Sequence, residues 1–463
     1  MKLINERIEE LREELIQSTQ ELLRIKSVEE EAKENAPFGE GVKLALDKAL
    51  DISNRLGFKT VNLDGYAGYA EYGEGEEYIG VLGHLDVVPE GDGWIYPPYG
   101  AEIHEGKVFA RGAMDDKGPI MAALFGLKAI KDLNLPIKRK VRIIFGTNEE
   151  TGSADIEHYM SKEKAPVAGF TPDAEYPIIY AEKGLTSFNL TKSVSPSSED
   201  LIVEYIKGGQ RANMVPDYCE AALRTSDKEI IKKKIEKIAS RLEFSIKTEE
   251  KGDLLIIKSL GVSAHGSVPE LGKNAIMQLI KVLNNLGITG ELGALIDFLD
   301  SHIGLETNGE SFGVGLKDEV SGSLSFNLGI INYSEGKFLV TLNLRYPVTF
   351  QVEDMLKPLN KTIEKIGLNL EEFEHQKPLY FPQDHSIIKT LQKVYKEQTG
   401  LEPKLLAIGG GTYAKEMPNI VAFGPIFPGK PDLDHQANEY IEVEDLVLNA
   451  KIYAEAIYEL SNL

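Results

Sequence analysis

The chain has 463 residues, enough for two to three domains, and its 42% apolar and 27% charged content excludes fibrous, low-complexity and wholly disordered classes. Its 51 Lys+Arg against 73 Asp+Glu leave a net charge of −22, a field that repels phosphate backbones and anionic lipid, so neither nucleic acid nor a membrane is an expected partner. No signal peptide or membrane-spanning apolar run is visible, and the single cysteine, Cys219, reads as buried filler of a strand; a soluble cytoplasmic protein is expected.

Apolar residues at helical spacing (Leu3, Ile4, Ile8, Leu11, Leu15, Leu22 and Leu23) predict an amphipathic helix over 3–25. A helix at about 41–56, a buried strand at 78–88, a helix at 119–133 and a strand at 140–146 follow. This alternation predicts an α/β fold with a mostly parallel sheet flanked by helices. From 187 the pattern changes to strands at 187–194, 201–208, 218–226, 253–261 and 322–346, with helices at 228–242, 274–287, 291–304 and 352–366, the pattern of an α+β domain. The Ser-rich stretch 193–198 reads as a loop. A helix at 386–400, short buried strands at 405–408 and 421–424, and a closing helix at 443–463 complete the chain. The expected organisation is a catalytic domain in two pieces, 1–185 and 383–463, with a large α+β domain inserted at 186–382.

Three clusters carry chemistry. In Gly83-His84-Leu85-Asp86 a histidine and a carboxylate close an apolar strand, where alternation puts them on one side and where α/β ligands gather. In Arg111-Gly112-Ala113-Met114-Asp115-Asp116-Lys117 two adjacent carboxylates precede a helix, as caps or as cation ligands. In Thr147-Asn148-Glu149-Glu150 two glutamates past a strand point to opposite sides, so that one can ligate a metal while the other faces substrate as a general base. Asp173, in a proline-flanked loop, and His435, far down the chain, complete the set. His104, His158, His302, His375 and His385 lack such surroundings and read as surface or packing residues. Imidazole and carboxylate without thiolate suit zinc, cobalt or manganese.

The ordered motifs HLDVVP, ARGAMDDKGP, GTNEETG, PDAEYP and DHQANE resemble the dinuclear metallopeptidase family of aminoacylases, glutamate carboxypeptidases and succinyl-diaminopimelate desuccinylases. Within it the chain looks most like the bacterial dipeptidase V (Xaa-His dipeptidase, carnosinase-like) branch, over nearly its whole length. Two departures, Ala110 before Arg111-Gly112 and Pro97-Pro98-Tyr99 after Trp94, border the expected cleft.

The resemblance implies two divalent metal ions per chain, zinc first, with manganese or cobalt as alternatives. His84 and Asp173 would bind one and Glu150 and His435 the other, with Asp115 bridging. It makes Glu149 the general base and Asp86 the partner that orients His84. The inserted domain becomes a lid, with His265 at the scissile carbonyl, Asn213 and Arg345 near the polar ends of the substrate, and Gly410, in the Ile408–Tyr413 run, also binding substrate. The implied activity is hydrolysis of the amide bond of dipeptides by a two-metal-activated water. A deacylase or desuccinylase with the same centre is the nearer alternative, and the size of the insertion argues against it. An inactive binding module is the other, and intact Glu149, Asp115 and both histidines argue against that. In small-lid members the lid commonly dimerises. Here the insertion is long enough for two α+β units, at about 187–260 and 270–380, which predicts a monomer with the lid acting in cis.

Overall fold

The computed structural model describes residues 2–195 and 201–463. Positions 196–198 of the Ser-rich stretch lie outside the described residues. The chain divides into two compact units, one built from the chain up to Tyr180 with Phe381–Leu406 and Thr412–Leu463, the other from Ala181–Tyr380 and Ala407–Gly411. No helix among the described residues is long and apolar enough to cross a membrane.

In the first unit a sheet runs in the order Lys59–Leu63, Ala67–Tyr72, Lys140–Gly146, Tyr78–His84, Ala168–Thr171 and Ile420–Ala422. The last four are mutually parallel, and the first two add antiparallel to the edge. Tyr78–His84 is buried at every position, as a strand covered on both faces must be. The apolar run expected to reach 88 is a strand only to His84. Beyond it Leu85 N–H still bonds Gly146 O at 3.0 Å, but Val87 N–H turns to Ser27 O at 3.1 Å.

The helix Lys117–Asp132 is buried around nearly its whole circumference, the mark of a core helix. It packs against Val443–Ser461 so closely that a Cβ on Gly126 would stand 2.9 Å from Ala454 N and 3.1 Å from Ala450 O. The N-terminal apolar stripe folds as two helices, Lys2–Glu10 and Arg12–Leu23. The amide of Leu11 is shared between Arg7 O and Ile8 O, 3.1 Å each, which breaks the helix while its side chain stays buried.

The second unit holds one eight-stranded antiparallel sheet: Ser245–Lys251, Leu254–Leu260, Tyr218–Thr225, Leu201–Gly208, Ser325–Ser334, Lys337–Tyr346, Gly184–Ser193 and Asn369–Gln376. The two strand-helix groups read from the sequence do not form separate units: Tyr205–Gly208 pairs with Ile331–Ser334, and Gly184–Ser193, from the first group, lies between Lys337–Tyr346 and Asn369–Gln376 of the second. The outermost strands, SIKTEEK and NLEEFEHQ, carry too many charges to show an apolar alternation, and so escaped the sequence reading. The same charges suit an edge, where an apolar strand invites unwanted pairing. Cys219 is fully buried among Ile206, Leu255, Ile276 and their neighbours, and burial pushes its thiol up.

Because Gly126 sets the spacing of the two core helices, Gly126→Val is expected to lower the unfolding free energy by about 2 kcal/mol. Urea denaturation measures it; an unchanged midpoint would mean that the helices separate without cost.

Candidate metal centre

Three parallel strands end on one edge, and each leads into a candidate ligand. His84 closes Tyr78–His84, Glu149 and Glu150 follow Lys140–Gly146, and Asp173 follows Ala168–Thr171. Asp115 stands just ahead of the helix Lys117–Asp132, and His435, at φ +63°, comes from the loop before Tyr440–Glu442.

The fold brings all six together. His84 Nε2 lies 2.8 Å from Asp115 Oδ1 and 3.8 Å from Asp173 Oδ2. His435 Nε2 lies 3.2 Å from Asp115 Oδ2 and 3.0 Å from Glu150 Oε2. Donor atoms of His84, Glu149 and Asp173 fall within 4.8 Å of one another, as do those of Asp115, Glu150 and His435. Asp115 thus offers one oxygen to each histidine. The two adjacent glutamates part company, one to each group.

Asp86 meets His84 through two of its oxygens. His84 Nδ1 bonds the main-chain oxygen of Asp86 at 3.0 Å, while the nearest carboxylate oxygen is 3.5 Å away. With Nδ1–H donating there, the Nε2 lone pair faces the cluster. The Asp86 carboxylate also accepts the amides of Glu149 (3.2 Å) and Glu150 (3.0 Å) and so fixes the turn that separates them. The neighbouring acid, Asp116, occupies the N-cap position without a side-chain capping bond; its Oδ2 accepts the His84 amide at 3.1 Å.

Packed this closely, the acids and imidazoles shift one another's protons. Burial works against a charged His84, but its bonds to Asp115, Asp173 and Asp86 raise it well above the ordinary range. Bonds to Asp115 and Glu150 push His435 up to about 11. Asp115 resists burial because both imidazoles hold it well below the usual carboxylate range. Glu149 is raised by burial and by the charge of Asp173, and burial likewise raises Asp173 and Glu150. Such a set calls for positive charge at its centre. Glu150 Oε1 is buried with no hydrogen-bond partner among the described residues. Two imidazoles, four carboxylates and no thiolate match a divalent cation of the zinc, manganese or cobalt type. The residues present fit such ions.

Two supports were not read from the sequence. Tyr413 bonds the carboxylate of Asp155 through its hydroxyl, and that carboxylate accepts the amides of Thr147 (2.6 Å) and Asn148 (3.2 Å), bracing the approach to Glu149. A Cβ on Gly146 would collide with the Tyr413 hydroxyl, so this glycine at a strand end was the available signal. Glu439, fully buried, accepts from the segment that carries Asp115. Its sign in the sequence was an acid four residues past His435.

Asn213, His265, Arg345 and Gly410 belong to the second unit. Arg345 is 2% exposed; it donates to Gly409 O (2.6 Å) and Asn343 Oδ1 (3.2 Å), and no carboxylate among the described residues pairs with it. Burial lowers it to about 10. His265 shares a hydrogen bond with Ser267 Oγ (2.6 Å), and is lowered by burial and by the charge of Arg345. The Asn213 carbonyl accepts the Gly266 amide at 2.7 Å, tying its loop to that of His265. The remaining histidines have local partners: His104 bonds Glu102, His158 bonds Asp64, His302 bonds Phe298 O, His375 bonds Tyr346, and His385 accepts the Ile387 amide.

A parallel-centred α/β unit with a histidine–carboxylate cluster at its strand ends defines a class of metallohydrolase. The chain belongs to peptidase family M20/M25/M40, whose model matches residues 80–459, and is a metal-dependent peptidase. It is 42% identical over 97% of its length to a Bacillus subtilis (strain 168) protein named "Putative dipeptidase YtjP", covering 98% of that protein. A Staphylococcus epidermidis protein named "Putative dipeptidase" is 36% identical, with 98% of each chain covered. In fold it is similar to human carnosine dipeptidase 1, with TM-score 0.59, 16% identity and 99% and 98% of the two chains covered. The di-peptidase Dug1p of Saccharomyces cerevisiae gives TM-score 0.57 at 15% identity, again covering 99% and 98%.

Burial raises Asp155 to about 6 in the folded chain. The folded state holds this proton more tightly than the unfolded state, so the contribution is complete below about pH 4 and is lost as pH rises through 6. Asp155→Asn cannot ionise. The stability of wild type relative to this variant, from urea unfolding of metal-free protein, should therefore fall by about 2 kcal/mol from pH 4 to pH 6.5. A pH-independent difference would contradict the assignment.

Proposed function

We propose that the chain hydrolyses the amide bond of dipeptides at a dinuclear metal centre. The observation that carries this reading is Asp115, which turns one carboxylate oxygen to each of two histidines. His84 and Asp173 would hold one cation, Glu150 and His435 the other, and Asp115 both. Zinc suits the donors best, with manganese or cobalt as alternatives. Divalent cations there supply Lewis-acid polarisation of the carbonyl and acidify the attacking water.

The chain's own residues do the rest. Glu149 stands beside His84 and Asp173, and its raised proton affinity suits a general base that takes a proton from water and returns it to the leaving amine. In the second unit, read as the lid, Arg345 has no acidic partner among the described residues and would take the substrate carboxylate. His265, lowered and therefore neutral near pH 7, donates a hydrogen bond to the carbonyl oxygen as it gains charge. Asn213 and Gly410 lie in the same unit and complete the substrate contacts. The names of the two bacterial relatives support a dipeptide substrate. A monomer with the lid in cis is supported by the sheet itself, because Leu201–Gly208 is paired on both sides within one chain. One buried free cysteine and the absence of any disulfide among the described residues support a cytoplasmic setting.

Glu149→Gln should retain the fold and both cations while kcat falls about a thousandfold, whereas Glu150→Ala should lose cation; elemental analysis beside turnover of a dipeptide tests both. Chelation should abolish wild-type activity, and zinc or manganese should restore it. The opposite metal pattern would exchange the two roles. For the lid, Glu149→Ala and His265→Ala chains mixed at high concentration should recover no activity; recovery would show that the lid histidine serves a partner.

A further inference from the structure

Glu439 lies at zero exposure, and its carboxylate is spent entirely on the segment leading to Asp115. Oε2 accepts from Arg111 Nη1 (2.7 Å) and the Gly112 amide (3.0 Å); Oε1 accepts from the amides of Met114 (2.8 Å) and Asp115 (3.2 Å). The Glu439 carbonyl takes the Ala110 amide at 3.1 Å. Arg111, 2% exposed, closes the arrangement, reaching Gln436 O at 3.2 Å and lying 5.5 Å from the centre of the Trp94 ring. Asn438 ties the same loop to a third segment, accepting the Ile95 amide (2.6 Å) and donating to Gly93 O (3.1 Å).

A buried ion pair is a poor stabiliser compared with apolar residues of the same size, because both charges must be desolvated. This one is placed where direction matters. Three consecutive-segment amides on one carboxylate fix the main chain of residues 112–115, and with it the direction in which the Asp115 side chain leaves. We infer that Glu439, held by Arg111, is a positioning residue of the metal centre, setting Asp115 so that each of its oxygens meets one histidine. The inference rests on the dinuclear reading above. It separates Glu439 from the ligands themselves: loss of His435 opens one cation position, whereas loss of the Glu439 brace loosens the ligand common to both.

The test titrates metal-free wild type, Glu439→Gln, Glu439→Asp and His435→Ala with cobalt(II), followed by calorimetry and by the visible absorption of the bound ion. Aspartate keeps the charge opposite Arg111 but draws the carboxylate back from the amides. Both Glu439 variants are expected to keep the native circular dichroism, to bind cobalt about 10- to 100-fold more weakly at both positions, and to show a changed absorption band. His435→Ala should lose one position and keep the other near wild-type affinity. Folded Glu439 variants with wild-type affinity and spectrum overturn the inference. So does loss of native circular dichroism in both, which would assign the carboxylate to the fold rather than to the ligand. A wild-type chain that takes up no cobalt overturns the dinuclear reading, and the inference falls with it.

Discussion

Four carboxylates and two imidazoles converge at the ends of parallel strands, and their mutual repulsion is the constraint around which the first unit is arranged. Acids at this density are stable only with positive charge among them. In the bare side-chain cluster the two histidines carry that charge, which is why both are raised while Asp115, between them, is lowered. A divalent cation answers the same demand with more charge in less volume. It also offers a partner to Glu150 Oε1, which finds none among the described residues.

Such a cluster holds its shape only if the backbone beneath each ligand is fixed, and the surrounding acids do this. Asp86 takes the amides of Glu149 and Glu150, Asp155 those of Thr147 and Asn148, Asp116 that of His84, and Glu439 those of Gly112, Met114 and Asp115. Each is a carboxylate bonded to main-chain N–H groups, an interaction stronger than one between neutral groups. On the proposed reading the unit uses acidic side chains in two ways: as donors to a cation at the centre, and as clamps on the loops one layer out. The overall charge of −22 partly reflects this double use.

The second unit solves a different problem. Arg345 sits on a sheet stitched together by main-chain pairing within one chain, with charged strands left at the two edges, while Asn213 and His265 come from loops tied to each other. On the proposed reading this makes Arg345, His265 and Asn213 parts of a single rigid platform. Asn327 reinforces it by donating to both Ala212 O (2.8 Å) and Met214 O (2.9 Å), on either side of Asn213.

The order of motifs along the chain, the helices at 228–242, 275–286 and 352–364 and the strand at 140–146 are local properties, set by apolar spacing and turn residues, and were legible in the sequence. The six side chains that the fold brings together were also named from the sequence, as ligands and base implied by the resemblance of its ordered motifs. The edge strands 245–251 and 369–376 were not legible, because charge hides the alternation that only pairing with a neighbour reveals. Nor was the double use of Asp86, whose main-chain oxygen accepts from His84 and whose carboxylate, 3.5 Å from the same nitrogen, also holds two amides. Glu439 shows the limit most clearly. Its distance from Asp115 along the chain is 324 residues, and nothing local assigns it to that loop. The sequence by itself determined which imidazoles and carboxylates were available at the strand ends. Which atom of each faces inward, and which acid clamps rather than ligates, was decided by tertiary structure, because hydrogen-bond direction depends on backbone amides that distant segments bring within about 3 Å.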